Sequence, residues 1–252
     1  MNKIVGFSGG KDSTAMVLRL HELGEDFQML FTPTGDELSE LDEHMKTITE
    51  MVGKKLVVPP NQSLEFWINE FNAVPNVFQR WCTRLIKIRP CIAYLKTVPD
   101  AELLVGLRAD EEERVGLYGD YAHYRYPLRE WGWGLDEVNG YLKERGIQIP
   151  ERTDCAVCPY QRIGEWFSLF KKHPERFQRG VDWEEKTGHG FRTPGKVRDD
   201  GVVLSGRDTW PQRLADLRKE FEGGRTPKGY RPDGLRVLKE GENKDVCRVC
   251  RI

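Results

Sequence analysis

Six consecutive residues near the start of the chain, Ser8-Gly9-Gly10-Lys11-Asp12-Ser13, combine the ingredients of an anion cradle. Two adjacent glycines let the backbone approach phosphate oxygens closely and adopt positive φ. Lys11 brings a compact positive charge. Ser13 can donate a hydrogen bond or cap the helix that follows. Asp12 alone would repel phosphate, which points to a bound Mg²⁺ between carboxylate and phosphates. The spacing is not that of the GxxxxGK[ST] loop.

The cysteines are the second chemical feature. They are Cys82, Cys91, Cys155, Cys158, Cys247 and Cys250. In a reducing compartment, two Cys-x-x-Cys pairs imply metal, cluster or redox chemistry rather than disulfides. One turn carrying Cys155-x-x-Cys158 can present two thiolates to one metal. Cys91 falls in an apolar helical stretch and reads as core. His21, His44, His123, His173 and His189 have no ligand spacing to one another and read as structural or solvated.

These residues need elements to hold them. Lys3 to Phe7 reads as a short buried strand, and Ser13 to Leu23 as a helix with Ala15, Met16, Leu20 and Leu23 at helical spacing. The glycine-rich turn thus sits between strand and helix, where ligands bind in open α/β sheets. Strands over 27–32 and 55–58 alternate with a helix over 38–52, which argues for a parallel sheet covered by helices. Further helices are expected over 63–73, 85–95 and 135–145, and over 165–177 with an interruption before Pro174. One more strand is expected over 103–107. From about Gly188 the pattern weakens, with one short helix over 214–221. The expected domains are a nucleotide-binding α/β domain with a cysteine-bearing segment over 1–187, and an irregular basic extension over 188–252.

With the motifs in place, the Ser8–Ser13 string resembles the PP-loop of the ATP-pyrophosphatase, or adenine nucleotide α-hydrolase, superfamily. Three further segments resemble the branch that contains phosphoadenosine phosphosulfate (PAPS) reductases. Phe31 to Glu40 is similar to its T-x-T-G segment, which places Thr32 and Gly35 beside the nucleotide. Arg80 to Pro90 is similar to its C-x-x-x-x-K-x-x-P element, with Cys82, Lys87 and Pro90 at the matching positions. Gly106 to Arg114 is similar to its G-x-R segment, which implies a phosphate role for Arg108 and for Arg114. Tyr126-Pro127-Leu128, Trp131, Val138 and Tyr141-Leu142 resemble a further run and read as packing residues. The likeness covers residues 4–177.

The resemblance implies an open, mostly parallel, Rossmann-like sheet with helices on both faces. It implies an ATP site formed by Ser8, Gly9, Gly10, Lys11, Asp12 and Ser13 with Thr32, Gly35 and Arg108. Lys11, Asp12 and Arg108 would act on the phosphates, with Mg²⁺. It also implies a [4Fe–4S] cluster, or Zn²⁺, at Cys82, Cys155 and Cys158, with Cys250 or Cys247 as a fourth ligand. Sulfonucleotide reductases generally lack the full SGGKDS string. Its presence places the chemistry with relatives that consume ATP: cleavage at the α–β bond to adenylate a substrate, for sulfur transfer to a nucleic acid or small molecule. Two other readings stay open: a sulfonucleotide reductase that uses a terminal cysteine with a thioredoxin-like reductant, and a non-catalytic subunit binding nucleotide or nucleic acid.

Composition sets the limits. The chain has 252 residues, 38% hydrophobic and 31% charged, with net charge −1. Residues 1–60 hold 6 Lys+Arg and 10 Asp+Glu, whereas residues 192–252 hold 15 and 10. The basic end can attract DNA or RNA. No apolar run approaches the roughly 20 residues that span a bilayer, and the start of the chain lacks a signal-peptide pattern, so a cytoplasmic protein is expected.

Overall fold

The computed structural model describes residues 1–111, 123–228 and 230. The described chain forms two compact units, each drawn from separate stretches of sequence. The first contains Met1–Asn61 and Arg84–Thr153; the second contains Gln62–Thr83 and the described residues from Asp154 onward.

The first unit is an α/β layer structure. Strands β1 (Asn2–Gly6), β2 (Gln28–Leu30), β3 (Leu56–Val57), β4 (Ala101–Leu104) and β5 (His123–Arg125) form one sheet in the order β3-β2-β1-β4-β5. All four pairings are parallel. Parallel strands need crossover connections. Here these include α1 (Lys11–Glu22), α2 (Ser39–Val52) and α4 (Arg89–Leu95), with α5 (Pro127–Glu130) and α6 (Leu135–Glu144) following β5. Two apolar clusters fill the layers. Val5, Phe7, Met16, Met29, Leu41 and Ile48 belong to one, and Ile4, Leu30, Leu95 and Leu103 to the other. Ile4 and Val5 are neighbours on β1 yet join different clusters, because successive side chains of a strand point to opposite faces. The parallel sheet expected from the alternating pattern, and the Rossmann-like covering of both faces that the resemblance implies, are therefore present.

The order of strand addition reverses beside β1. From β1 the chain runs through α1 to β2 and then β3, while β4 pairs with the other edge of β1. That switch point opens a crevice at the carboxyl ends of the strands. The turns after β1, β2 and β4 all leave from this edge.

The second unit is mainly helical. It contains α3 (Leu64–Phe71), α7 (Ile163–Lys172), α8 (Pro174–Thr187) and α9 (Leu214–Glu222), with an antiparallel hairpin of β6 (Pro194–Val197) and β7 (Val203–Ser205). Its core is aromatic: Trp166 packs on Phe177 and Phe191, and Phe221 packs on Phe167 and Trp210. Glu184 lies within this core at 2% exposure and accepts hydrogen bonds from the amides of Phe191 (2.9 Å) and Leu214 (2.7 Å). The stretch from 188 to 222, irregular by its composition, thus contains a hairpin and a helix and contributes Phe191, Leu214 and Leu217 to the buried interior.

Candidate functional site

The phosphate loop leaves β1 at its carboxyl end. Phe7 remains in the core and its amide bonds to Leu30 O at 2.9 Å. Gly9 has φ +73°, the left-handed conformation that disfavours a side chain. A Cβ there would run into Leu41 Cδ1 and lie 3.0 Å from Met45 Cγ. Gly10 caps α1 in an extended conformation, with no side-chain cap. No cap side chain therefore covers the first-turn amides, which are the anion-binding groups of a helix start.

Ser13 does not cap the helix. It sits inside the first turn, where its hydroxyl donates to Gly10 O at 3.1 Å and accepts from the Ser8 amide at 3.2 Å. Ser8 Oγ lies 3.1 Å from Ser13 Oγ, so the two serines close the loop on itself. The strap after β4 passes close over this turn: a Cβ on Gly106 would stand 3.2 Å from the Ser13 amide nitrogen. Behind the loop, Thr14 Oγ1 lies 3.1 Å from His44 Nε2, linking α1 to α2. Burial lowers the pKa of His44, which keeps it neutral and structural, as its sequence context suggests.

The guanidinium of Arg108 reaches the phosphate loop at Asp12. The residue is 2% exposed and its guanidinium is directed at carboxylates. Nη1 donates to both oxygens of Asp12, at 3.0 and 3.2 Å, and Nε donates to Asp110 Oδ1 at 2.8 Å. Glu111 Oε1 lies 3.7 Å from Nη2. Burial alone would lower its pKa, but Asp12, Asp110 and Glu111 outweigh that and raise it. Burial raises the pKa of Asp12, against the pull of Lys11 and Arg108. Lys11 Nζ stands 3.9 Å from Asp12 Oδ2. Asp12 therefore already has two cations beside it, and both its oxygens accept from Arg108. As arranged it does not fit the Mg²⁺ site inferred from an otherwise unpaired carboxylate. The Asp110 and Glu111 partners follow Arg108 at i+2 and i+3 on a short 3₁₀ turn, and their position in the sequence was the available signal for them.

The segment after β2 forms a tight turn around Gly35 (φ +76°). Glu37 accepts from the Thr34 amide and hydroxyl, both at 2.7 Å, and from the Gly35 amide at 2.9 Å. Gly35 is exposed and Thr32 half-buried in the segment that follows β2. The Tyr126–Leu142 run packs as expected: Leu128 and Val138 are fully buried, and Trp133 lies 4.8 Å from Tyr141.

Cys82, Cys155 and Cys158 lie in the second unit. Ala156 and Val157, between Cys155 and Cys158, are fully buried, and a Cβ on Gly180 of α8 would lie 3.0 Å from Val157 Cγ1. This packing pins the turn and brings the two thiols together. A hydrogen bond with Cys155, then burial and the nearby Asp154, hold the Cys158 pKa well above its ordinary value. Tyr160 is the element shared with Cys82: both Cys158 and Cys82 add to the effect of burial in raising its pKa. Arg80 stacks over the Tyr160 ring at 4.8 Å. Among the described residues, no set of three or more His, Cys, Asp or Glu is arranged to hold a metal. Cys247, Cys250 and Arg114 lie outside the described residues. Cys91 is buried and its pKa is pushed up to about 12, which makes it an inert core thiol.

Several described basic residues of the last third are internally paired. Arg192 bonds Asp208, Arg198 bonds Asp200 and Glu220, Lys219 bonds Asp216 and Arg225 bonds Glu220. No helix among the described residues is long and apolar enough to cross a membrane.

The family model for the phosphoadenosine phosphosulfate reductase domain matches residues 2–168. An uncharacterised protein of Methanocaldococcus jannaschii is 25% identical over 237 residues, covering 86% of this chain and 54% of its own length. The chain spans about half the length of the curated relatives it matches. Among solved structures, a PAPS reductase from Candida auris in complex with phosphate aligns with TM-score 0.49 and 14% identity, over 60% of this chain and 76% of its own. The U34-tRNA thiolase NcsA from Methanococcus maripaludis, solved with its [4Fe–4S] cluster, aligns with TM-score 0.46 and 18% identity, over 75% of this chain and 73% of its own.

Proposed function

The chain belongs to the phosphoadenosine phosphosulfate reductase domain family, and on that premise we propose that it binds ATP at Ser8–Ser13, cleaves it between the α- and β-phosphates, and adenylates a substrate for sulfur transfer. One observation carries the reading. The complete Ser-Gly-Gly-Lys-Asp-Ser loop stands at the sheet's switch point, with Gly9 at positive φ and the first turn of α1 free of a side-chain cap.

In this reading the pyrophosphate part of ATP rests on the loop amides at the positive end of α1. Lys11 neutralises the charge that develops on the leaving pyrophosphate. A substrate oxygen attacks the α-phosphorus, AMP passes to that oxygen and pyrophosphate departs. A sulfur nucleophile then displaces AMP. Thr32 and Gly35 line the crevice toward the nucleoside. Arg108 acts one step back, by holding Asp12 and with it the first turn of α1. No step here runs through Mg²⁺ at Asp12, whose oxygens are engaged, or through a cluster.

An iron–sulfur cluster at Cys82, Cys155 and Cys158 would need Cys82 to close on the other two. It would take Cys250 or Cys247 as a fourth ligand. The close Cys155–Cys158 pair and the family membership also support a second reading, a sulfonucleotide reductase with Cys247 or Cys250 as its thiol. That reading predicts sulfite from PAPS with a thioredoxin-like reductant, and loss of sulfite in Cys247→Ser or Cys250→Ser. The first reading predicts pyrophosphate release from ATP in the presence of an acceptor nucleic acid or small molecule, abolished in Lys11→Ala. Absence of both ATP binding and pyrophosphate release would refute it.

A further inference from the structure

Thr153 belongs to no motif, yet the fold delivers its hydroxyl to the phosphate loop. A Cβ built on Gly10 would point at Thr153 Oγ1, 3.4 Å away, with Ser8 Oγ at 3.5 Å. Two hydroxyls from residues 145 positions apart (153 − 8) thus border the place that a side chain on the residue capping α1 would take. Thr153 is half-buried. Arg152 before it is 6% exposed, which anchors the backbone there. Ser8 Oγ is engaged with Ser13 Oγ and the Gly10 amide. Among the described residues no hydrogen bond takes up Thr153 Oγ1.

A hydroxyl beside glycine at the mouth of a helix N-terminus has a ready partner in an anionic oxygen, since hydrogen bonds to charged groups are the stronger ones. We propose that Thr153 is a phosphate-binding residue of the nucleotide site, donating its hydroxyl to the pyrophosphate part of the nucleotide held by the Ser8–Ser13 loop. The inference rests on the reading of that loop as an ATP site and adds a contact from a distant segment. It also gives Gly10 a reason to be glycine: a side chain there would stand between Thr153 and the ligand.

The test is calorimetric titration of the full chain with ATP, inorganic pyrophosphate and AMP. Thr153→Val keeps the shape and removes the hydroxyl; Thr153→Ser keeps the hydroxyl and removes the methyl. The expected result is about tenfold weaker binding of ATP and pyrophosphate by Thr153→Val. Binding of AMP should be unchanged, and Thr153→Ser should stay within about twofold of the original chain. Thr153→Ala is the second variant and should repeat the loss if Thr153→Val folds poorly. Unaltered ATP and pyrophosphate affinity in Thr153→Val or Thr153→Ala, with binding lost in Lys11→Ala, would overturn the Thr153 contact and leave the loop reading intact. Equal loss of AMP and pyrophosphate affinity would also overturn it. An original chain that binds neither ATP nor pyrophosphate would overturn the loop reading and the contact together.

Discussion

At the scale of single residues, the site turns on how Asp12 and Lys11 divide their work. Lys11 is half-exposed at the mouth of the loop, whereas Asp12 is held from behind by Arg108. Replacing Lys11 with alanine should therefore remove ATP affinity and leave stability within about 0.5 kcal/mol, the usual range for an exposed position. Calorimetry and urea unfolding on the same sample separate the two effects. Arg108→Met should behave in the opposite way. It strands Asp12, Asp110 and Glu111 around a vanished cation, and removing one partner of a buried ion pair costs about 3–5 kcal/mol. Urea unfolding should register that loss; a variant as stable as the original would contradict the buried network. The loop itself was legible in sequence because its six residues are contiguous. The engagement of Arg108 was not, because Asp12 lies 96 positions away and only the fold brings them together.

At the scale of elements, glycine and burial set the terms. Gly9→Ala must accept both a left-handed φ and an encounter with Leu41, so it should destabilise the first unit by about 1–3 kcal/mol and weaken nucleotide binding with it. Thermal unfolding with and without ATP checks both. In the second unit, burial pushes the Glu184 carboxyl up to about 7, against the pull of the Leu214 and Phe191 amides. Between the ordinary carboxylate range and about pH 7 the folded chain holds a proton that the unfolded chain has released. Stability should therefore fall as pH rises through that window, by up to about 3 kcal/mol. Urea midpoints between pH 5 and 8 should show this slope in the original chain, and Glu184→Gln should flatten it. An unchanged slope would remove Glu184 as its source.

The elements legible in sequence were those with strong apolar periodicity: β1 through β3, α1, α2 and α6 match their expected spans closely. The missed ones lack that signal. The three residues of β5 are all exposed, and β6 carries proline and glycine. Helix α8 continues well past Phe177 through Gly180, which reads as a weak helix position. Gly180 is there because Val157 and Leu214 leave no room for a side chain.

For the whole molecule, composition suggested a boundary at 187/188, while the described chain builds its second unit from Gln62–Thr83 together with residues from Asp154 onward. Interleaving of this kind leaves no trace in local composition. Long-range packing decides it, as when Phe221 meets Phe167. The family, by contrast, was legible in sequence, because the loop and the segments over 31–40, 80–90 and 106–114 are each one continuous stretch.

The central claim is that this loop breaks ATP between its α- and β-phosphates. The most direct measurement is a product analysis of labelled ATP incubated with the full chain, a sulfur donor, and candidate DNA, RNA and small-molecule acceptors. The account predicts AMP and pyrophosphate in equal amounts, both lost in Lys11→Ala. ADP with inorganic phosphate, or ATP left untouched with every acceptor, would contradict it.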